Sequence, residues 1–338
     1  MDFKLVRDKL SDERRQKCGI RSMGDLKRSG LVSGTIDPNL FVKGPKEFDL
    51  LRSKWSRQEC LGIIGDSSSG KSEVALYFLF WILLNNPTAV VIYVSLEMTS
   101  EKIAARFFQM CADYPEVADR FYVISRYDDS GKSREVSMGW IKKEIQRYKD
   151  ELGDVIAFVI DHCHVLGEND PSTLNSMMVA LKEMAVSLNA LCIPLAQVNK
   201  SSGQKGEVPL DADSVLACSQ YKYICSDIIQ IHRPIARFED HAGFSVLGYG
   251  YCKIRESHPE DKIKKLQNKL LFYEPSNRSF RQMDNGEVTI FKQYYNELLA
   301  TKSAEEKNKA YAYDISKEIV GANGKSVTIK EVFSGDTE

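Results

Sequence analysis

The sequence carries almost no excess charge, because 46 Lys and Arg side chains are matched by 47 Asp and Glu side chains over 338 residues. This balance excludes a protein that binds nucleic acid over its whole surface, so any basic binding site must be local. Long apolar runs are also missing: the longest, VALYFLFWILL, is about half of the roughly 20 residues that a membrane-spanning helix needs. We therefore expect a cytoplasmic protein without a membrane partner, and the highly charged N-terminus argues against a signal peptide.

Paired cysteines are absent as well. The eight cysteines are scattered and none forms a Cys-x-x-Cys pair, which excludes the usual zinc ribbons and dithiol redox motifs. Several lie in apolar runs, so we interpret them as buried free thiols of a reducing compartment. The triplet His162-Cys163-His164 offers metal-ligand side chains, but no second pair stands at zinc-site spacing, and we expect no metal there.

From about Glu59 onward, short apolar runs alternate with segments of helical periodicity. Runs such as VVIYV and VIAFVI are uniformly apolar and rich in β-branched residues, which is typical of strands buried on both faces. The alternation predicts an α/β fold with a mostly parallel central sheet flanked by helices. We divide the chain into an N-terminal linker or docking-helix region (1–45), a core domain (46–290) and a charged, helical C-terminal tail (291–338).

One stretch, GDSSSGKS at 65–72, has the spacing of a phosphate-binding loop. This pattern requires a glycine, four residues and then Gly-Lys-Ser or Gly-Lys-Thr, with a strand before it and a helix after it. Backbone N–H groups of such a loop and the dipole of the helix favour a bound phosphate. The residues expected to hold ATP are Gly65, Asp66, Ser67, Ser68, Ser69, Gly70, Lys71 and Ser72. Lys71 is predicted to contact the β- and γ-phosphates, and the Ser72 hydroxyl is predicted to bind Mg²⁺.

Two further Gly-Lys-Ser triplets do not fit this pattern. Arg126 stands where the triplet at 131–133 needs its first glycine, and Ile319 stands at that place for the triplet at 324–326. Without this glycine the chain lacks the residue that permits a sharp exit from a strand. Only the loop at 65–72 is therefore expected to bind a nucleotide.

Hydrolysis needs groups beyond the loop, and three polar residues follow buried strands. Asp161 ends VIAFVID and is expected to hold Mg²⁺ through water. Glu97 follows VVIYVSL and could polarise the attacking water, or it could cap the next helix. Gln197 ends CIPLAQ and could contact the γ-phosphate, or it could be a satisfied polar residue at a strand end. α/β proteins place their ligands at this edge of a parallel sheet.

A polar stretch without periodicity, NKSSGQKGEVPLDADS, comes after Gln197. Long loops of this kind inside a compact domain are usually functional or disordered. Lys200 and Lys205 could contact a phosphodiester backbone. A solvated mobile loop is the alternative.

Several motifs, taken in order, resemble those of DnaB-type replicative helicases. YVSLEMTSEKIAARF resembles the segment that follows the phosphate-binding loop in that family, and FVIDHCHVL resembles its Walker B segment. LAQVNK resembles its Ser-Gln-Leu-Asn-Arg motif, GYCKIRES its Lys-x-Arg pair, and LLFYEPSNRSF its terminal strands. The resemblance covers roughly residues 45–285, and it implies a RecA-like P-loop ATPase domain.

The resemblance also implies roles for individual residues. Glu97 would be the catalytic carboxylate and Gln197 the phosphate sensor, while Lys253 and Arg255 would reach into a neighbour's site, with Arg255 as the arginine finger. Lys253 and Arg255 stand two apart, so a strand places both cations on one face; a solvent-facing basic strand edge is the alternative. The implied assembly is a ring, expected to be a hexamer, that acts on single-stranded DNA with a primase or loader protein as partner.

Two other functions stay open at this point. A RecA-type recombinase, which forms filaments, would also carry the loop and a strand-ending glutamine. A P-loop ATPase that switches a protein partner, such as a loader or a regulatory module, fits the near-neutral charge and the missing N-terminal accessory domain of the family.

Overall fold

The computed structural model describes residues 41–48, 54–128, 130–167, 170–198, 215–216, 218–233, 246–254, 269–293, 295–297, 300–301, 318–320 and 326–328. Three predictions fall outside the described residues: the docking helix before residue 41, the DNA contacts of Lys200 and Lys205, and the role of Arg255.

Strands and helices alternate along the described chain, as the sequence predicts. The strands are β1 Phe41–Lys43, β2 Lys54–Ser56, β3 Leu61–Gly65, β4 Val90–Ser95, β5 Phe121–Ser125, β6 Val155–Asp161, β7 Leu191–Gln197, β8 Asp227–His232, β9 Val246–Ile254, β10 Lys269–Glu274, β11 Ser279–Gln282, β12 Glu318–Val320 and β13 Ser326–Thr328. The α-helices are α1 Lys71–Asn85, α2 Ser100–Met110, α3 Met138–Leu152, α4 His164–Gly167, α5 Pro171–Leu188 and α6 Tyr221–Ile224. Short 3₁₀ helices span Lys46–Phe48 and Pro115–Arg120, and residues 285–293 are also helical.

Nine of these strands form one sheet in the order β11-β10-β9-β8-β3-β7-β6-β4-β5. The six strands from β8 to β5 are parallel to one another. The strands from β8 to β11 pair antiparallel. The prediction of an α/β fold with a mostly parallel central sheet is therefore confirmed, and the antiparallel strands extend one side of it.

Each face of the sheet has its own apolar core. Alternate residues of β6 show this, since Ala157 and Val159 belong to the core beneath α1, whereas Phe158 and Ile160 belong to the core beneath α3 and α5. Successive side chains of a strand point to opposite faces, so a strand covered on both sides must be apolar throughout. α1 is itself apolar around most of its surface, and it is buried because α2 and the β1–β2 segment pack on its outer side.

β1 lies at the end of the region (1–45) expected to be a linker or docking helix, and the structure has a short strand there. β1 pairs antiparallel with β2, and residues of 41–48 and 54–56 pack on α1. The rings of Phe48 and Trp55 lie 5.0 and 5.3 Å from the ring of Phe78, measured between centroids. Tyr249 and Tyr251 of β9 donate hydrogen bonds from their hydroxyls to the backbone carbonyls of residues 47 and 48. Burial of large aromatic groups thus holds this segment to the core domain.

The tail is helical at 291–293, 295–297 and 300–301. At 318–320 and 326–328 the expectation of a helix is wrong, because these residues form strands. β12 and β13 pair antiparallel, with Ile319 opposite Val327. The β-branched residues at these positions favour strands.

The interpretation of the cysteines can be checked within the described part of the chain. The seven cysteines found there are all free and six of them are buried, which confirms the interpretation as buried thiols at those positions. No helix among the described residues is long and apolar enough to span a membrane.

Candidate functional site

The loop at 65–72 joins the end of β3 to the start of α1, and its shape depends on two glycines. Gly70 has a φ of +96° and is the N-cap of α1, a conformation that glycine adopts readily. A Cβ on Gly65 would lie 2.5 Å from the carbonyl oxygen of Ile231 and 2.6 Å from Oγ of Ser69, so no larger residue fits there. The chain therefore turns sharply into a helix whose first N–H groups face the loop.

The Lys71 side chain lies inside this loop, and the residue is only 8% exposed. Its Nζ donates hydrogen bonds to the carbonyl oxygens of Gly65 at 2.9 Å and Asp66 at 2.7 Å. Burial lowers the pKa of Lys71, and the carboxylates of Asp161, Asp66 and Glu97 oppose that change. The ammonium group is thus held among loop backbone groups, where a phosphate would meet both its charge and the N–H groups.

Asp161 is the last residue of β6 and is 2% exposed. Its Oδ2 accepts a hydrogen bond from Ser72 Oγ at 2.7 Å and a second one from the hydroxyl of Tyr93. Burial and the adjacent Asp161 carboxylate raise the pKa of Tyr93 well above its usual value, so its hydroxyl remains a donor. The hydroxyl of Ser72 and the carboxylate of Asp161 are hard oxygen ligands side by side, and this donor set fits Mg²⁺.

Glu97 lies two residues beyond the end of β4, in a turn. The turn is fixed by Ser95, whose Oγ accepts a hydrogen bond from the backbone N–H of Met98 at 3.1 Å. The Glu97 side chain is 61% exposed, and its Oε2 lies 3.2 Å from Nδ1 of His162. Ligand atoms of Glu97, Asp161 and His162 all lie within 4.8 Å of one another. Glu97 and Asp161 therefore meet although they follow different strands.

Gln197 is the last residue of β7, which lies between β3 and β6. Its Nε2 lies 3.5 Å from Nε2 of His162, and its backbone N–H donates to Nδ1 of His164 at 3.5 Å. Nε2 of His164 donates to the carbonyl oxygen of Leu216 at 2.8 Å. Burial lowers the pKa of His164 although the hydrogen bond with Leu216 opposes this, which agrees with a neutral ring that donates once and accepts once.

Further charged groups surround the start of α1. Glu73 follows the loop directly, and its Oε1 lies 2.6 Å from Nη1 of Arg278 and 3.2 Å from Nη1 of Arg106. These pairs tie α1 to α2 and to the turn between β10 and β11. Arg233, which follows β8, places its guanidinium 3.7 Å from where a Cβ of Gly70 would lie. A second cation, besides Lys71, therefore stands beside the loop.

The predicted site residues thus fall into three groups. The loop residues, Glu97, Asp161 and Gln197 meet at one edge of the sheet, where β3, β4, β6 and β7 end. Lys253 of β9 lies elsewhere, since its Nζ donates to the carbonyl oxygens of Lys222 and Cys225, the latter at 2.7 Å. Arg255, Lys200 and Lys205 lie outside the described residues, and their roles and that of Lys253 stay predictions.

Three residues of this site are missing from the sequence-based prediction. Tyr93 stands inside an apolar strand, where an aromatic residue has no distinctive pattern. The sequence suggests only a metal-ligand role for His162 and His164. In the structure His162 lies between Glu97 and Gln197, and His164 contacts the backbone of Gln197 and Leu216. The sequence feature that could have indicated this role is the stretch Asp161-His162-Cys163-His164, in which two histidines closely follow an acid at the end of a buried strand.

The sheet, the loop and the converging polar groups define a P-loop nucleoside triphosphatase. Residues 38–203 match the family described as AAA domain, which agrees with an ATPase domain in this part of the chain. No curated protein matches the sequence.

Two solved structures show which ATPases share the fold. One, titled as an ATPase domain, has 15% sequence identity and a TM-score of 0.58, and the similarity covers 76% of this chain and 95% of that chain. The structure titled "The Structure Of A DnaB-Like Replicative Helicase And Its Interactions With Primase" has 16% identity and a TM-score of 0.63, covering 81% of this chain and 71% of that chain. The fold is therefore the RecA-like fold of DnaB-like helicases, and the resemblance found in the sequence is confirmed at the level of the fold.

Proposed function

We propose that this chain is a ring-forming, ATP-dependent helicase that moves along single-stranded DNA in replication and hydrolyses ATP between neighbouring subunits. The observation that carries the proposal is where β9 ends. β9 is antiparallel to β8, so Ile254 lies opposite Asp227. Asp227 in turn pairs with Leu61, the first residue of β3, whereas the phosphate-binding loop begins at Gly65, the last residue of β3.

Ile254, the last residue of β9, lies at the edge of the sheet opposite the chain's own loop, and Arg255 is the next residue in the sequence. The five residues of β3 separate the two edges by about 13 Å, since a strand rises roughly 3.3 Å per residue. A cation that stabilises the charge of phosphoryl transfer has to contact the phosphate. If Arg255 is such a finger, it acts on the loop of another copy, as the closed head-to-tail contacts of a ring allow.

The residues around the loop fit the chemistry of ATP hydrolysis. Bound Mg²⁺–ATP would supply the phosphoryl group and a metal that neutralises its charge. The loop N–H groups and Lys71 Nζ would bind the phosphates, and Ser72 and Asp161 would hold the metal. Glu97 has one oxygen against His162 and the other free to accept the proton of the attacking water. Gln197 donates its side-chain N–H to the γ-phosphate and responds when that group leaves.

The proposed DNA contacts lie in the segment between Val198 and Val215. These two residues pair as an isolated antiparallel bridge, so the segment begins and ends next to Gln197. We assign DNA contacts to Lys200 and Lys205, which stand within it. One of the similar structures is titled for its interactions with primase, and a primase or loader partner, a hexameric ring and a cytoplasmic location belong to the proposal for this chain.

Complementation between two inactive variants tests the shared site. Lys71→Ala removes the lysine of the loop and should abolish hydrolysis, and Arg255→Ala should lower turnover strongly while ATP binding persists. In a mixture of the two, a site is complete where the loop comes from the Arg255→Ala chain and the finger from the Lys71→Ala chain. With random assembly this holds for about one site in four, so we expect ATPase activity to return on mixing.

The measurement is the ATPase rate against protein concentration, with and without single-stranded DNA. The wild-type rate per subunit should rise with concentration as rings form, and DNA should stimulate it. Two results would contradict the shared site. One is a mixture of the two variants that stays inactive although mixed assemblies form. The other is a wild-type rate per subunit that is the same in monomers and in assemblies.

A further inference from the structure

The two histidines that follow Asp161 connect residues from separate strands of the sheet. His162 lies between Glu97, at 3.2 Å from its Nδ1, and Gln197, at 3.5 Å from its Nε2. The ring is largely buried, with 12% of its side chain exposed. The proposed catalytic carboxylate and the proposed phosphate sensor thus contact the same imidazole ring from opposite sides.

The chemistry of the contacting atoms fixes where the proton of His162 lies. The side-chain Nε2 of Gln197 carries two hydrogens and no available lone pair, so it can only donate. Nε2 of His162 must therefore accept, and a neutral imidazole then carries its proton on Nδ1. This N–H faces Oε2 of Glu97. Hydrogen bonds consequently run in one direction, from Gln197 to His162 and from His162 to Glu97.

His164 holds the main chain at the start of this series. Its Nδ1 accepts the backbone N–H of Gln197, while its Nε2 donates to Leu216. The carbonyl oxygen of Gln197 also accepts the backbone N–H of Leu216 at 2.9 Å. The backbone of Gln197 is thus fixed on both sides, so that a new partner of this residue would move its side-chain amide and not its main chain.

We propose that His162 is a positioning residue through which Gln197 controls the orientation of Glu97. This inference rests on the proposed function, since it assigns the regulation of the same site. While the amide of Gln197 donates to His162, the ring is held as the Nδ1–H form and keeps Oε2 of Glu97 in place. When the amide turns to a γ-phosphate, Nε2 of His162 loses its donor and the orientation of Glu97 changes with the state of the nucleotide.

Three substitutions at His162 separate the two contacts. His162→Phe keeps a ring of similar size but makes neither hydrogen bond. The amide of His162→Asn stands near the place of Nδ1 and can still donate to Glu97. The amide of His162→Gln stands near the place of Nε2 and can reach Gln197 but not Glu97.

The readouts are the ATPase turnover at saturating ATP, its stimulation by single-stranded DNA, and the affinity for a fluorescent ATP analogue. We expect His162→Phe to lower turnover about 10- to 100-fold, which is the usual effect of a small misplacement of a catalytic group, with unchanged nucleotide affinity. The His162→Asn variant should retain more of the basal turnover than the His162→Gln variant. It should nevertheless show weaker stimulation by DNA than wild type, because it lacks the contact with Gln197. Wild-type turnover in His162→Phe, equal turnover in all three variants, or a parallel loss of nucleotide affinity would overturn the proposal.

A second measurement needs no turnover and so separates this inference from the proposed function. The nitrogen chemical shifts of His162 in the full chain report which ring nitrogen carries the proton, and we expect Nδ1. Gln197→Leu, which removes the donor, should release the ring from that form. A proton on Nε2 in the wild-type protein, or a spectrum unchanged by Gln197→Leu, refutes the bridge. A wild-type protein that shows the expected tautomer but hydrolyses no ATP refutes only the proposed function.

Discussion

The hydroxyl of Tyr93 provides the sharpest test of how Asp161, the proposed metal-binding carboxylate, is held. Tyr93 is fully buried, and its hydroxyl donates to Oδ2 of Asp161. Tyr93→Phe keeps the ring and removes only this donor. A hydrogen bond to a charged group contributes about 1.5–3 kcal/mol, so we expect the free energy of unfolding to fall by that amount.

Tyr77→Phe is the matched control for this substitution. Tyr77 is also buried, away from the loop, and the Glu47 carboxylate lies near its hydroxyl. The hydroxyl donates to a neutral acceptor, the carbonyl oxygen of Phe280, at 3.1 Å. Loss of such a bond costs about 0.5–1.5 kcal/mol. The assay is denaturant unfolding of the wild-type protein and of both variants without nucleotide.

The two tyrosines should differ more clearly in their dependence on metal. Groups that orient metal ligands typically change metal affinity about 10- to 100-fold when they are removed. The Mg²⁺ concentration needed for half-maximal ATPase activity should therefore rise by that factor in Tyr93→Phe and stay at the wild-type value in Tyr77→Phe. Turnover at saturating Mg²⁺ should recover most of the wild-type rate. The same Mg²⁺ dependence in both variants would show that Tyr93 does not position Asp161.

Two further predictions concern the loop and the first turn of α1. Gly65→Ala places a methyl group 2.5 Å from the carbonyl oxygen of Ile231, so it should lower the free energy of unfolding by about 1–3 kcal/mol and weaken ATP binding. The control is Gly139→Ala, because its added Cβ has no atom closer than 3.9 Å. Equal effects of the two substitutions would contradict the packing argument. Glu73→Gln removes the charge shared by two arginines and should lower the free energy of unfolding by about 1–3 kcal/mol. The decrease should be smaller at high salt, which denaturant unfolding at two salt concentrations can measure. A free energy of unfolding within about 0.5 kcal/mol of wild type would mean that these ion pairs contribute little.

The phosphate-binding loop could be predicted from the sequence because every part of its signal is local. The glycine spacing, the apolar strand before it and the helix after it all lie within 25 residues of one another. The ends of β6 and β7 could be predicted for a related reason, since an acid or an amide directly after a uniformly apolar run marks where a buried strand leaves the sheet.

The contacts between strands could not be predicted, because they depend on which strands are neighbours. Tyr93 meets Asp161 only because β4 and β6 pair in parallel with Ser95 opposite Asp161. His162 meets Glu97 and Gln197 only because β6 lies between β4 and β7. Periodicity along one segment carries no information on this order.

The short strands escaped prediction for a different reason. β1, β2, β12 and β13 each have three residues, which is too few for an alternating pattern to stand out. Trp55 and Phe48 show that such segments can nevertheless be held firmly, since burial of an aromatic side chain stabilises a fold whatever the length of its strand.

The attachment of residues 41–56 has a mechanical consequence. Phe48 and Trp55 press on Phe78, in the middle of the helix that begins with Lys71. A pull on the chain before Phe41 would therefore be transmitted through these rings to the back of that helix. Tension applied from outside the domain would thus reach the helix that begins with Lys71 and Ser72, the residues proposed to bind a triphosphate and its metal.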